Sequence, residues 1–300
     1  MEAERRSGIF SALNLTALAG AVAGLYVVVL GGHIAPWSLP RVPQAVAAPL
    51  LAPDEAASAP RLDAAFARLG YRLDAVGKHG AEVPPVFLAA VPGDMSELVD
   101  SETRKAVFLR VMLPLVLAVN DEILADRRRL LQISERRMHG IWPSPADEAW
   151  LARLAERYGA EPGMDARLLL RRVDAVPPSL ALAQAAMESG WGTSRLVRRG
   201  NNLFGHTAAD GDLRSFASLD EAVRAYVHNL NTFRAYEGLR RARATARSRG
   251  AFPDGNALAA ALSSYSERGH AYVDDLRSLI RANGLMQFDR ARLGRGGRAV

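Results

Sequence analysis

The sequence predicts a mainly α-helical body behind a long apolar N-terminal run. Three observations carry this prediction. Apolar residues after Asp100 recur at steps of four, the spacing that gathers side chains on one helix face. Helix-start signals recur at Ser144-Pro145-Ala146-Asp147, at Pro177-Pro178 and at Ser218-Leu219-Asp220-Glu221. Only one stretch, residues 211–219, suits a short hairpin strand.

The elements follow in chain order. No Asp, Glu, Lys or Arg occurs between Ser7 and Pro40. The apolar centre of this run, residues 9–30, would span roughly 33 Å as a helix, enough for a bilayer core. The apolar region of a cleaved export signal is shorter, about 7–15 residues. Ala45-Val46-Ala47 has the look of a cleavage site but lies far beyond the run. Residues 9–30 are therefore expected to be an uncleaved transmembrane signal anchor. Arg5 and Arg6 place residues 1–8 in the cytoplasm, so the rest faces outward. Residues 31–60, rich in Pro, Ala and Gly, read as a linker.

Residues 61–160 read as a helical extension. It holds a helix at about 60–70 and an extended, proline-interrupted strap at 83–92. A long helical segment follows, with Val107, Val111, Leu115, Val119 and Ile123 as a buried stripe, and Pro114 should bend or end it. Ser144 starts a helix that closes at Tyr158-Gly159. Residues 161–288 read as the functional domain. Its expected helices cover about 164–173, 179–189, a segment opened by Ser218, then 256–265 and 271–282. Residues 289–300 read as a flexible tail.

Composition narrows the function. The chain has 300 residues and is 49% hydrophobic, enough for a substantial core. It has no cysteine, which excludes disulfides, thiolate chemistry and cysteine metal sites. The net charge of +6 is mostly arginine, interspersed with acids and without a basic, aromatic-interleaved block, so no nucleic-acid partner is expected. His206 has no ligand-spaced partner and there is no H-E-x-x-H, so no metal is expected. No phosphate-binding glycine loop or G-x-S-x-G is present, and no cofactor is expected.

The stretch "QAAMESGWGTS", residues 184–194, holds the chemistry. Gln184 and Glu188 are four apart and share a helix face. Glu188 falls in the last turn, where the helix dipole disfavours negative charge. Burial beside Trp191 would raise its pKa further, as a general acid near neutral pH requires. Gly190 and Gly192 let the chain turn sharply. Spacing alone also allows an ordinary solvent-side glutamate. Downstream, "RRGNNLFGHT" at residues 198–207 reads as a tight turn pinned by Leu203 and Phe204.

These stretches resemble the glucosaminidase-domain family of bacterial peptidoglycan hydrolases, in particular its Bax-type branch. The resemblance rests on residues 177–205, continues through 216–240 and 265–285, and extends upstream to 104–124, covering roughly 83–288. It implies a lysozyme-like helical fold with a small loop or hairpin lobe and a groove between lobes. It also implies hydrolysis of the β-1,4 bond after N-acetylglucosamine in peptidoglycan glycan strands. The family's acid corresponds to Glu188, its following aromatic to Trp191, its Asn-Asn-Leu-Phe-Gly turn to Asn201, Asn202 and Phe204, and its late tyrosines to Tyr265 and Tyr272. The sequence between those tyrosines, "YSERGHAY", departs from the family's usual form.

Glycoside hydrolysis ordinarily uses a second carboxylate. Asp210 and Asp212, in a polar loop, are candidates; Glu221 and Glu267 are weaker ones. A third route lets the substrate's own 2-acetamido oxygen attack, with Tyr265 orienting it. Gln184, Trp191, Asn201, Asn202, Phe204, Arg214 and Tyr272 complete the expected substrate-binding set. Arg195, Arg198, Arg199 and Arg214 either meet wall carboxylates or form a solvated face. Gly284-Leu285-Met286-Gln287 is similar to a lytic transglycosylase motif, but it lies far from Glu188 and reads as chance. The expected location is the inner membrane, single-pass, with the catalytic domain in the periplasm. The alternative is a non-catalytic wall-binding or scaffold protein.

Overall fold

The computed structural model describes residues 51–77, 81–160, 166–208 and 211–294. The predicted anchor at 9–30 and the linker up to residue 50 lie outside them. Among the described residues no helix is long and apolar enough to cross a membrane. The linker ends earlier than expected. Two helices, α1 (Pro53–Ala57) and α2 (Ala59–Arg68), begin before residue 60, and α2 buries Leu62 and Phe66.

The architecture is mainly α, a lysozyme-like helical domain, with α3 (Ser101–Met138) as its longest element. Asp100 starts α3 by accepting from the Thr103 backbone N–H at 2.7 Å. The expected stripe is buried, with Ile123 packed at its edge, but it understates the burial. Residues 111–120 are buried on every side, as in a helix that crosses a core. Pro114 does not end the helix. It removes one backbone bond to the Arg110 carbonyl, and packing all round holds the helix through that gap.

Two further helices, α4 (Pro145–Arg157) and α5 (Ala166–Arg172), close a small satellite core on the C-terminal half of α3. Ser144 caps α4 as the sequence predicts, accepting from the Asp147 N–H at 3.2 Å. The main core is continuous from Phe66 and Phe108 to Leu180 and Tyr226, so the 61–160 extension and the following domain share one interior.

The next helix, α6 (Pro178–Ser189), is the central element. Every residue from Pro178 to Ala186 is buried. Its start is tied from two directions. Asn120 of α3 donates to the Val176 carbonyl at 2.7 Å and accepts from the Val176 N–H at 3.0 Å. Asp289 accepts from the Ser179 N–H at 2.7 Å, from its hydroxyl at 2.8 Å and from the Gly255 N–H at 3.3 Å. The carboxylate thus does the work of an N-cap from far along the chain. A side chain at Gly255 would lie 2.0 Å from the Ser179 hydroxyl, so only glycine lets this backbone approach.

This anchoring corrects one expectation. The tail does not begin at 289: Asp289 is buried, and Val83 of the strap donates to the Arg292 carbonyl at 2.8 Å. The Gly284–Gln287 segment opens a 3-10 turn, Leu285–Arg290, whose Leu285 and Phe288 enter the core. Asp289→Ala should strand buried donors and lower stability by about 2–4 kcal/mol, read as a lower urea midpoint at unchanged slope.

Four helices complete the body after a short α7 (Arg195–Gly200): α8 (Leu219–Thr232), α9 (Glu237–Ser248), α10 (Gly255–Leu258) and α11 (His270–Ala282). Ser218 caps α8, but Glu221 reaches back to the Ala217 N–H, one residue earlier than a strict capping box. The helix expected over 256–265 breaks into α10 and a 3-10 turn, Ala259–Leu262. The α9 helix was not foreseen, because its arginine-rich sequence hides a buried face of Leu239, Arg240 and Arg243. The hairpin lobe is present in reduced form: Thr207 and Leu213 make an isolated antiparallel bridge.

Candidate active site

The end of α6 carries the acid. Gly190, Trp191 and Gly192 follow with φ of 57°, 58° and 81°, three consecutive left-handed residues. Trp191 is not glycine, so this conformation costs about 1–3 kcal/mol. Its surroundings hold it there. Its N–H donates to the Ala186 carbonyl at 2.9 Å, and its ring meets Phe108 edge-on at 5.9 Å. The Lys105 ammonium stands 5.6 Å from the ring centre. A Cβ at Gly192 would come within 3.1 Å of both Phe108 and Val91, so the strap packs directly under the turn. Trp191, three residues after Glu188, remains half-buried.

Glu188 is itself half-buried, and burial pushes its carboxyl from 4.5 up to about 7. A hydrogen bond from Tyr272 and the charge of Arg268 oppose the rise. The direction matches the sequence argument, and desolvation is the leading cause. Among the described residues, no second carboxylate contributes to this shift.

Behind Glu188 lies a closed ring of buried polar and aromatic groups. The Gln184 amide donates to the Tyr272 hydroxyl at 2.9 Å and accepts from the Tyr226 hydroxyl at 2.7 Å. The Tyr226 ring stacks on Phe204 at 4.0 Å. The Phe204 carbonyl accepts from the Tyr265 hydroxyl at 3.1 Å, and the Tyr265 ring stacks on Tyr272 at 5.5 Å.

This ring corrects several expected substrate contacts. Gln184 and Phe204 have 0% exposure and cannot meet a sugar. Tyr265 is buried with its hydroxyl committed to Phe204, which makes it a support for the turn rather than a group that orients an acetamido. Asn202 is also buried. It donates to the His206 and Arg214 carbonyls and accepts from the His206 N–H, so it holds the hairpin lobe together. Asn201, left-handed at φ 50°, ends α7 and donates to the Phe216 carbonyl at 3.2 Å. Tyr272 is buried too, but it touches Glu188 and so belongs to the acid's surroundings.

The remaining candidates are placed less centrally. Asp210 lies outside the described residues. Asp212 and Arg214 are exposed on the hairpin lobe, with the Arg214 guanidinium 4.9 Å from the Phe216 ring centre. Glu221 is committed to capping α8. Glu267 is exposed, as are Arg195, Arg198 and Arg199. His206 is half-buried, with its Nε2 unpartnered and its pKa lowered to about 4 by burial. Among the described residues no cluster suits a metal ion. Sequence reasoning missed Arg268, the cation nearest in effect to Glu188, and Tyr226, whose hydroxyl donates to Gln184. A tyrosine at a buried helical position is the one signal that pointed to a concealed polar contact.

Comparisons with known proteins bear on this arrangement. The glucosaminidase family model, described as mannosyl-glycoprotein endo-beta-N-acetylglucosaminidase, matches residues 165–285, the segment that holds Glu188 and the whole ring behind it. Protein bax of Escherichia coli (strain K12) is 36% identical over 205 residues, spanning 63% of this chain and 73% of that protein. No solved structure matches the chain. The acid, its turn and its buried support therefore belong to a member of the glucosaminidase-domain family, a glycoside-hydrolase type, on its Bax-type branch.

Proposed function

We propose that this chain hydrolyses the β-1,4 bond after N-acetylglucosamine in peptidoglycan glycan strands, with Glu188 as general acid. The carrying observation is a half-buried carboxyl pushed by burial to a pKa of about 7, at the end of α6 inside the family-matched segment. A protonated Glu188 gives its proton to the glycosidic oxygen as the bond to the anomeric carbon breaks. Trp191 offers an apolar face to a sugar ring, and Arg214 a cation to wall carboxylates. The absence of a carboxylate acting on Glu188 among the described residues leaves two routes to the anomeric carbon. One is water activated from the 210–212 lobe; the other is the substrate's own acetamido oxygen. In this reading residues 9–30 anchor the chain in the inner membrane and the domain works in the periplasm.

One observation favours the second reading, a wall-binding protein without hydrolysis. Two surface clefts, of about 1410 and 420 Å³, share Phe252 and Arg290 in their walls, and Arg128 lines the larger, so both offer cations to an anionic polymer. Digestion of purified sacculi by the full chain separates the readings. Borohydride reduction and mass spectrometry should reveal new reduced N-acetylglucosamine ends. Reduced muramic or anhydro-muramic ends would assign a different bond or a lytic reaction, and binding without new ends would favour the wall-binding protein.

A further inference from the structure

The ring behind Glu188 has a direction. A glutamine amide presents two N–H donors on one side and an acceptor oxygen on the other, and a phenol has a single proton. The Tyr226 hydroxyl donates to Gln184 Oε1 at 2.7 Å. Gln184 Nε2 donates to the Tyr272 oxygen at 2.9 Å. Tyr272 therefore accepts a hydrogen bond from Gln184, and its own O–H is left for the neighbouring Glu188 carboxyl, the group it acts on electrostatically.

Reversing the Gln184 amide would break this order. Tyr272 would then donate to Gln184 Oε1 and turn its proton away from the acid. The reversed Nε2 would face the Tyr226 oxygen and leave the Tyr226 proton without an acceptor. Tyr226 has 0% exposure, so no water takes that place, and a buried unpaired donor is costly. The Tyr226 ring cannot swing to another partner because it stacks on Phe204 with an interplanar angle of 7°.

We propose that Tyr226 and Gln184 are positioning residues that orient the Tyr272 hydroxyl as a hydrogen-bond donor to Glu188. Neither touches substrate; both act through Tyr272. The role deepens the proposed hydrolysis and rests on Glu188 being its proton donor. The charge environment makes the effect readable. Burial raises the pKa of Tyr226, Tyr265 and Tyr272 well above the usual phenol value, so all three are neutral near pH 7. Arg268 is the one cation acting on Glu188 among the described residues, and it is shared with Asp275. The Tyr272 donor is thus a principal control on how readily Glu188 ionises.

The test is a carboxyl ¹³C NMR titration of Glu188 in the full chain, with the resonance assigned by its loss in Glu188→Gln. Tyr226→Phe keeps the ring on Phe204 and removes only the hydroxyl. Gln184 is then free to reverse, the carboxylate loses its donor, and the Glu188 midpoint should move up by about one pH unit. Tyr272→Phe should move it at least as far. In a Tyr272→Phe background, Tyr226→Phe should add nothing, because its route to Glu188 is already cut. A purely structural Tyr226 would not produce that pattern. An unmoved midpoint in folded Tyr226→Phe would overturn the proposal, and so would a shift that persists in the Tyr272→Phe background. If Tyr226→Phe does not fold, Gln184→Met removes both links at similar volume and carries the same expectation. The titration reads the carboxyl whether or not glycans are cleaved, so failure of the hydrolase reading would show separately, in the sacculus digestion.

Discussion

Glu188→Gln should lower the rate of glycan cleavage by about 10²–10⁴-fold, the usual contribution of a positioned general acid. Gln keeps the shape and part of the hydrogen bonding but has no proton to give. The same variant should be more stable than the parent, but only at higher pH. The sign follows from the pKa. Folding raises Glu188 from 4.5 to about 7, so the folded state holds the proton more tightly than the unfolded chain. Its contribution is fully present below pH 4.5 and is lost as pH rises through about 7. At pH 8 the parent carries a buried charge that the variant lacks, a penalty on the order of 2 kcal/mol after discounting for partial exposure. Urea unfolding at pH 4 and pH 8 should show little difference at the first and a clear gain for Glu188→Gln at the second. The parent's kcat/KM should fall with a single-proton dependence as pH passes about 7, because the acid must be protonated to act. A variant that stays active, or an activity that rises through that range, would remove Glu188 from the acid role.

The largest stability effect is expected at Asp174, at the base of α6. It is 1% exposed and is shared by three arginines. Arg247 binds it bidentately at 2.6 Å, while Arg127 and Arg243 stand at 3.7 and 3.6 Å. Arg243 has a fully buried side chain. It donates to the carbonyls of Ala175 and Arg171 and to Asn231, and burial lowers its pKa to about 10. Asp174→Asn removes the counter-charge and leaves a guanidinium in the interior. The cost should be about 3–5 kcal/mol, the range for breaking a buried pair from one side. Arg247→Met should cost less, because its side chain is 27% exposed and Arg127 and Arg243 still balance the carboxylate. Equal losses in the two variants, measured by urea midpoint, would show that Asp174 serves as one more ion pair and not as the hub that joins α3 and α9 just ahead of α6.

Much of this protein was legible from local sequence. The caps at Ser144 and Ser218, the proline start of α6 and the glycine turn after Glu188 depend on residues within a few positions of one another. Helix α3 shows where that legibility thins. Its period was clear, yet the all-round burial of residues 111–120, and with it the tolerance of Pro114, depends on packing from every side. Helix α9 was missed for the related reason that arginine looks like surface until a buried acceptor is supplied.

The site divides the same way. By itself the sequence determined a carboxylate at the end of an apolar helix, an aromatic three residues on and a turn that only small or strained residues make. Those features are local, set by helix geometry and backbone sterics. Tertiary structure alone decided which polar side chains face substrate and which face one another. Gln184, Asn202 and Tyr265 have the chemistry of ligand contacts, and sequence cannot tell that use from internal hydrogen bonding. The partners that settle it lie far along the chain: Gln184 meets Tyr226 and Tyr272 across 42 and 88 positions, and Ser179 meets Asp289 across 110. A buried polar group must find a partner, but only the packing of whole helices determines which one.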